Sequence, residues 1–333
     1  MKKALITGGA GFIGSHLVEF LLNKEYKVDV IDDLSTGQIE NIDLFKNNPN
    51  YRFNKIDISK KFDTSIFQDV HYVFHLAGLA DIVPSIENPF KYHEANVTGT
   101  VNVLEAARKS KNLEKIIYTA SSSCYGIPNK YPTPEETKIK PEYPYALTKY
   151  LGEECVFHWS RVYGLPVNSL RLFNVYGPRA KSNNVYGAVF KVFLAQKLND
   201  LPLTIVGDGT QKRDFVFVKD VVDALYLSAT SNIVGGCVNI GAGNPRSINE
   251  LASMISNKKI HIPKRPGEPD ITWADISKAK NILKWEPKIN LEEGVKIMLD
   301  NIEYWKDAPA WTPKDIEKET RSWFRYLPKK NIN

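Results

Sequence analysis

Tyr145 and Lys149 are four residues apart at the start of a segment that predicts a helix over residues 146–163. Residues at this spacing share one helix face, and an ammonium beside a phenol lowers the pKa of the phenol, which makes a usable general base. Many surface helices carry such a pair, so it gains meaning only beside a third group. The hydroxyls of Ser121–Ser123, at the end of a predicted strand, can hydrogen bond to a substrate oxygen. The alternative for this serine cluster is a capping or turn segment.

A glycine-rich turn near the N-terminus is suited to hold phosphates. Gly8, Gly11 and Gly14 are spaced as G-x-x-G-x-x-G between a predicted strand and a predicted helix. Residues without a Cβ let the backbone approach a pyrophosphate, and the helix N-terminus offers it unpaired N–H groups. Asp32 closes the next predicted strand, where a carboxylate can accept hydrogen bonds from both hydroxyls of an adenine ribose. Since a carboxylate would repel a 2′-phosphate, the pattern predicts NAD rather than NADP.

These segments belong to an alternation of strand and helix patterns. Apolar and β-branched runs predict six strands: Lys3–Thr7, Lys27–Asp32, Arg52–Ile58, Tyr72–Ala77, Lys115–Ser121 and Pro166–Val175. Amphipathic patterns predict three helices: Phe12–Asn23, Tyr92–Ser110 and Ala146–Tyr163. Such alternation is typical of an α/β fold with a doubly wound, Rossmann-type parallel sheet and helices on both faces.

The second half of the chain has shorter segments, interrupted by Pro and Gly. The sequence therefore predicts a NAD-binding domain over residues 1–176 and a second, smaller α/β substrate domain over residues 177–333. We expect segments around residues 214–245 to return to the first domain. Two helical patterns stand out in the second: Ser247–Ser256 and Leu291–Trp305.

The C-terminal stretch predicts one more helix, which begins at Pro313 because proline is favoured in a first helical turn. One face of this helix would be largely apolar: Ile316, Thr320, Trp323, Phe324 and Leu327. We expect that face to pack onto its own domain rather than to bind a partner.

Composition excludes several classes of protein. The chain has 333 residues and a net charge of +6, but its basic residues are scattered, so we expect no nucleic-acid partner. No stretch approaches 18 uncharged apolar residues, so we expect no membrane span. The three cysteines are far apart and form no zinc-type cluster, which predicts neither a disulfide framework nor a metal site. A cytoplasmic location is the simplest interpretation.

Together the motifs resemble those of the extended short-chain dehydrogenase/reductases, and more narrowly those of the NAD-dependent nucleotide-sugar epimerases and dehydratases. The resemblance covers residues 1–305. It rests on the glycine turn, Asp32, the Tyr145/Lys149 pair and four segments: His75–Gly78, Ser121–Gly126, Arg171–Arg179 and Arg213–Asp220. It implies NAD as cofactor, a UDP-sugar as substrate, and a homodimer formed through the helices predicted over residues 92–110 and 146–163.

The resemblance also implies roles for individual residues. Tyr145 would be the catalytic base, Ser121 would orient the substrate, and Lys149 would hold the nicotinamide ribose while tuning Tyr145. Asn174 would contact the substrate diphosphate. The cofactor would be bound by Gly8, Gly11, Phe12, Ile13, Gly14, Asp32, Asp57, Ile58, Leu76, Ala77, Gly78, Tyr145 and Lys149. The substrate would be bound by Ser121, Ser122, Ser123, Tyr145, Asn174, Arg213, Arg265 and Thr272, with the two arginines clamping the diphosphate.

Within this group the residues after Ser121 favour an epimerase. Dehydratases of the family carry Asp-Glu there, and UDP-glucuronate decarboxylases carry a Glu in this segment, whereas this chain has Ser122 and Ser123. In a C4 epimerase Tyr145 removes the proton of the sugar 4-hydroxyl while C4 gives a hydride to NAD⁺, and the hydride returns to the other face of the 4-keto sugar. C2 epimerisation, 4-keto reduction and decarboxylation of another nucleotide sugar stay open, as does a non-catalytic dinucleotide-binding module.

Thr272 restricts which sugar the resemblance implies as substrate. It aligns with a gatekeeper that is Tyr in family members restricted to glucose and galactose and small in those that accept N-acetylhexosamines. A threonine leaves room for an acetamido group, which predicts activity on UDP-GlcNAc and UDP-GalNAc and leaves UDP-Glc and UDP-Gal open. The alternative is that Thr272 is an ordinary turn residue.

Overall fold

The computed structural model describes residues 1–180 and 187–327. Its strands are β1 (Lys3–Thr7), β2 (Lys27–Asp32), β3 (Tyr51–Lys55), β4 (Tyr72–His75), β5 (Lys115–Ser121), β6 (Val167–Leu172), β7 (Asn174–Tyr176), β8 (Leu203–Val206), β9 (Lys212–Arg213), β10 (Phe215–Phe217), β11 (Gly236–Ile240), β12 (Arg246–Ser247) and β13 (Lys259–Ile262). Its helices are α1 (Phe12–Asn23), α2 (Ile82–Glu87), α3 (Pro89–His93), α4 (Gly99–Ala107), α5 (Pro144–Tyr163), α6 (Val189–Leu198), α7 (Val218–Thr230), α8 (Ile248–Ile255), α9 (Leu291–Asp300), α10 (Pro313–Glu319) and α11 (Arg321–Tyr326). Among the described residues, no helix is long and apolar enough to span a bilayer.

The main sheet has seven parallel strands in the order β11-β6-β5-β4-β1-β2-β3. Helices α1 and α7 cover one face, where Leu17 and Leu225 are buried with Ile6 of β1. Helices α4 and α5 cover the other, where Leu104 and Val156 are buried. The predicted doubly wound Rossmann-type fold is therefore confirmed. Strand β11 and helix α7, from late in the chain, are part of this sheet and its cover.

A second apolar core lies beside the sheet. It unites residues of α6, β8, α8, α9 and α10, and the large side chains Tyr176, Phe193, Phe217 and Trp305 fill it. Tyr176 and Phe190 stack in it with ring centroids 4.5 Å apart. Strand β7 follows β6 in the chain but lies outside the main sheet. It pairs in parallel with β10 and leads the chain into this second core.

Several predicted elements differ from the observed ones. The strand predicted over Pro166–Val175 divides at Phe173, because β6 pairs in the main sheet and β7 pairs with β10. The helix predicted over Tyr92–Ser110 contains a π-helical segment, Glu94–Thr98, between α3 and α4. The predicted C-terminal helix breaks at Thr320, whose hydroxyl donates to the Ile316 carbonyl. Phe324, predicted on the packed face, is therefore 41% exposed.

A buried ion pair fixes α5 to the sheet. Glu153 of α5 accepts hydrogen bonds from both Nε and Nη2 of Arg171 on β6, the latter at 2.7 Å, and from the Ser169 hydroxyl at 2.6 Å. The two charged side chains are 1% and 8% exposed. Arg171 also donates to the Tyr125 hydroxyl. Because α5 begins at Pro144, this pair sets the position of Tyr145 and Lys149 relative to the end of β5.

Replacing Glu153 with alanine leaves the Arg171 guanidinium buried without its carboxylate. We expect Glu153→Ala to lower the free energy of unfolding by about 3–5 kcal/mol, measured by urea denaturation. Asp43→Ala, which removes the exposed Asp43–Lys46 pair, is the control and should change it by less than about 1 kcal/mol. A loss for Glu153→Ala as small as that of the control would contradict the anchoring role.

Candidate active site

The turn between β1 and α1 has no room for side chains. Gly8 has φ +75°, and a Cβ there would lie 2.7 Å from the Ala77 nitrogen. A Cβ on Gly14 would overlap the Gly8 carbonyl oxygen. The backbone is therefore drawn into a tight cradle at the carboxyl ends of β1 and β4, which is where a Rossmann-type sheet holds a pyrophosphate.

The first turn of α1 presents free N–H groups to this cradle. Gly11 is the N-cap, and no side chain caps the helix, so the N–H groups of the residues that follow have no intrahelical partner. Phe12 and Ile13 are those first helical residues, and Ile13 also packs against the apolar core below. An uncapped helix N-terminus of this kind suits an anion.

Asp32 lies at the end of β2, beside the same turn. Its two carboxylate oxygens accept the N–H groups of Ala10 at 3.0 Å and Leu34 at 2.9 Å. Burial raises its pKa, and these two N–H groups oppose the shift. Since each oxygen keeps a lone pair, the carboxylate is oriented and can still accept the hydroxyls of a ribose.

The other predicted adenine-side residues lie after β3. The Asp57 side chain is exposed and accepts the N–H and the hydroxyl of Ser59. Ile58 is 7% exposed and packs in the core under α4, where it faces Gly99. Only the backbone of Ile58 is thus available at the surface, and its carbonyl already accepts Asn102.

The segment Leu76–Gly78 crosses the edge of the sheet directly after β4. Thr7 holds it, because its carbonyl accepts the Leu76 N–H at 3.1 Å and its hydroxyl accepts the Ala77 N–H at 3.2 Å. A Cβ on Gly78 would lie 3.7 Å from the Lys149 Nζ. The structure therefore brings this segment, the glycine turn and Lys149 together at the carboxyl ends of the strands.

Asn96 is a supporting residue that sequence reasoning missed. It is 1% exposed and lies in the π-helical segment, where its Oδ1 accepts the Leu79 N–H and its Nδ2 donates to the Leu79 carbonyl and the Thr148 hydroxyl. It thereby ties the loop after β4 to α5. A polar residue inside an otherwise amphipathic helix is the signal in the sequence, and π-helical turns are often found at functional sites.

The hydroxyls after β5 meet Tyr145. Ser121 Oγ and Ser123 Oγ are 2.6 Å apart, and Ser121 also caps the short turn that begins at Ser122 by accepting the Ser123 N–H. The serine cluster is thus a cap and a hydroxyl pair at once. Burial raises the pKa of Tyr145, and the nearby Ser121 and Ser123 hydroxyls oppose the shift.

Lys149 lies one turn after Tyr145 on the same face of α5. It is 7% exposed, and its Nζ lies 4.4 Å from the centroid of the Tyr118 ring. Burial lowers its pKa to about 8, and the Glu153 carboxylate opposes that shift. The Tyr118 ring and the Glu153 charge thus both favour the charged form of Lys149, one turn along the helix from Tyr145.

Asp81 is a charged residue near Tyr145 that was not predicted. It is the N-cap of α2, and its negative charge contributes to the raised pKa of Tyr145, behind burial. Burial raises the pKa of Asp81 itself, and the Lys191 ammonium from α6 opposes this. The surroundings of the phenol thus contain a carboxylate from another element, which in turn lies near an ammonium.

Asn174 and Thr272 meet at the opposite side of the site. The Thr272 hydroxyl donates to Asn174 Oδ1 at 2.7 Å and accepts the Asp214 N–H at 3.1 Å. Asp214, which is fully buried, accepts N–H groups from Ala242, Gly243 and Ala274. Burial raises its pKa to about 6 against these N–H groups. Sequence reasoning missed this organising role of Asp214.

The two predicted diphosphate arginines are connected through one loop: Arg265 lies in it, and Arg213 of β9 contacts it. Arg213 is 8% exposed and donates from Nη2 to Glu268 Oε1 at 2.7 Å. Glu268 lies three residues after Arg265, whose guanidinium carbon is 5.4 Å from the Trp323 ring centroid. The predicted arginine pair is therefore linked through the loop over residues 263–270.

Comparison with known proteins agrees with this arrangement. The family model of GDP-mannose 4,6 dehydratase matches residues 5–298. A putative UDP-glucose 4-epimerase of Methanocaldococcus jannaschii is 40% identical over 301 residues, which are 88% of this chain and 95% of that protein.

Solved structures are similar over most of the chain. The UDP-N-acetylglucosamine 4-epimerase from Methanobrevibacter ruminantium M1, in complex with UDP-N-acetylmuramic acid, superposes with a TM-score of 0.84 at 35% identity. The UDP-glucuronic acid 4-epimerase from Bacillus cereus, in complex with UDP-glucuronic acid and NAD, gives the same values. Each comparison covers 90% of this chain and 99% of the other. The chain belongs to the extended short-chain dehydrogenase/reductases, in the group of NAD-dependent nucleotide-sugar epimerases and dehydratases.

Proposed function

We propose that this protein binds NAD and interconverts the C4 epimers of a UDP-sugar, with UDP-GlcNAc and UDP-GalNAc as its preferred pair. The observation that carries the proposal is the placement of Tyr145 beside the hydroxyls of Ser121 and Ser123 at the carboxyl end of β5, with the buried Lys149 one turn along the same helix. UDP-Glc and UDP-Gal are expected as poorer substrates.

The residues at the sheet edge fit the cofactor. The tight turn of Gly8 and Gly14 forms only because no Cβ overlaps the neighbouring backbone, and the α1 N-terminus supplies N–H donors for phosphates. Asp32 is oriented to accept ribose hydroxyls, and Lys149 faces the segment that contains Gly78. When bound, NAD supplies a hydride acceptor and donor for the sugar C4.

The chain's own groups move the proton. Tyr145 takes it from the 4-hydroxyl and returns it after the sugar has turned, while the Lys149 charge lowers the cost of the phenolate. Ser121 hydrogen bonds to the sugar 4-oxygen and orients it toward Tyr145. Neither Ser122 nor Ser123 can act as a carboxylic acid toward the 6-hydroxyl, which favours epimerisation over dehydration.

The preference for an acetylated sugar is inferred from Thr272. Its hydroxyl donates to Asn174, and its side chain is much smaller than the tyrosine that would exclude an acetamido group. The similar Methanobrevibacter enzyme, described as a UDP-N-acetylglucosamine 4-epimerase, supports the assignment. A second candidate substrate is a UDP-uronate, favoured by the Lys191 ammonium near Asp81, since an ammonium can pair with a sugar carboxylate.

We infer a homodimer from the helices predicted as its interface. On α5 the apolar side chains of Leu147, Val162 and Tyr163 are about half exposed, and Phe90, two residues before the other predicted helix, is 83% exposed. Pairing of these helices between two copies would cover such side chains.

Tyr145→Phe removes only the hydroxyl that transfers the proton. We expect turnover of UDP-GlcNAc to fall by about 10²–10⁴-fold, because general-base catalysis is lost, while NAD stays bound. Chromatography of the products and of the nucleotide released on denaturation checks both points. Tyr163→Phe, which removes the hydroxyl of an exposed ring at the far end of α5, is the control. Activity of Tyr145→Phe within tenfold of that control would sink the assignment.

Asp81→Asn removes a negative charge that helps to raise the pKa of Tyr145. We expect the pKa of Tyr145 to fall, so the acidic limb of the kcat/KM profile moves to lower pH, since the phenolate forms more readily. Initial rates between about pH 6 and pH 11 measure it, with the exposed Asp63→Asn as control. An unmoved limb, or one moved to higher pH, would refute the role.

Thr272→Tyr places a ring beside Asn174. We expect kcat/KM for UDP-GlcNAc to fall at least about tenfold more than kcat/KM for UDP-Glc, because the ring excludes the acetamido group. Thr272→Val is the control, since it removes the hydroxyl and adds no bulk. An equal loss for both sugars would show that Thr272 is not the gatekeeper.

A further inference from the structure

The C-terminal extension, residues 307–327, returns to the candidate site. Its Ser322 hydroxyl donates to Oε1 of Glu87, the last residue of α2, at 2.7 Å. Its Trp323 Nε1 donates to the Pro266 carbonyl at 2.7 Å. A Cβ on Gly267 would lie 3.3 Å from the Leu327 carbonyl oxygen. The extension therefore lies against both α2 and the loop that contains Arg265.

Trp323 is the centre of this contact. It is 4% exposed, and its ring lies between Tyr143, with centroids 6.4 Å apart, and the Arg265 guanidinium, 5.4 Å away. Tyr143 in turn stacks on Tyr145, with centroids 6.3 Å apart and an interplanar angle of 11°. The Trp323 indole thus contacts both Tyr143, the ring beside the predicted base Tyr145, and Arg265, a predicted diphosphate arginine.

These contacts determine where the arginine loop lies. The indole N–H fixes the loop backbone at Pro266, one residue before Gly267, whose φ of +73° few side chains tolerate. The indole face gives the Arg265 guanidinium a flat apolar surface, which planar, weakly hydrated guanidinium groups prefer. Because Glu268 of the same loop holds Arg213, a displaced loop would move both arginines.

We propose that Trp323 is a positioning residue for substrate binding, which holds Arg265 and its loop in place to receive the diphosphate of a UDP-sugar. The proposal rests on the function proposed above. It assigns the extension a role in affinity for the nucleotide rather than in the proton transfer, since Trp323 touches Arg265 directly but reaches Tyr145 only through Tyr143.

The test compares UDP binding by calorimetry and steady-state kinetics for variants of the full chain. We expect Trp323→Ala to weaken UDP binding and to raise KM by about fivefold or more, with kcat and bound NAD little changed. Trp323→Phe keeps a ring under the guanidinium and loses the N–H donor, so it should recover part of the affinity. Phe324→Ala, the exposed neighbour on α11, should match the wild type.

A double-mutant cycle identifies the path. If Trp323 acts through Arg265, then Trp323→Ala should weaken UDP binding much less in an Arg265→Ala background than alone. Equal losses in both backgrounds would overturn the proposal, as would unchanged UDP binding or a loss in kcat with constant KM. Should Trp323→Ala not fold, Trp323→Phe carries the same cycle.

The two proposals fail in different ways. Absence of epimerisation of every UDP-sugar by the wild type, with UDP binding that still depends on Trp323, would refute the proposed reaction and leave the role of Trp323 intact. Normal epimerisation together with UDP binding that does not change on replacing Trp323 would support the proposed reaction and refute the role of Trp323.

Discussion

The buried ion pair between Glu153 and Arg171 is the constraint on which the candidate site depends. Tyr145, Lys149 and Glu153 follow one another at intervals of four residues, so base, cation and anchor share one stripe of α5. Arg171 compensates the buried Glu153 charge, and Glu153 in turn supports the charge of Lys149 against burial. The position and the charge state of the catalytic pair thus have one structural origin.

The parts of the site that sequence predicts are those that local pattern encodes. Glycine spacing, the acid after the second strand and the i, i+4 pair each need only a few adjacent residues, and the structure places all of them at the same sheet edge. Their roles in binding and catalysis remain predictions. The strand that divides at Phe173 could not be foreseen, because a continuous apolar run looks the same in one sheet or two.

What sequence reasoning missed depends on tertiary contacts. Asn96 acts through a loop and a helix distant in the chain, and Asp214 gathers N–H groups from two separate loops. The C-terminal helix was expected to bury both Trp323 and Phe324; Trp323 is buried and donates to Pro266, but the helix breaks at Thr320 and Phe324 is exposed. No periodicity predicts such a break, since a threonine hydroxyl that bonds back to the preceding turn decides it.

In the proposed reaction, hydride leaves the sugar C4 and returns to the same carbon while the sugar stays bound. Proton NMR of UDP-GlcNAc converted by the enzyme in D₂O follows that hydrogen. We expect UDP-GalNAc whose C4 hydrogen remains protium, because the hydride never exchanges with solvent. Deuterium at C4 of the product would contradict it, since that requires the hydrogen to have left as a proton.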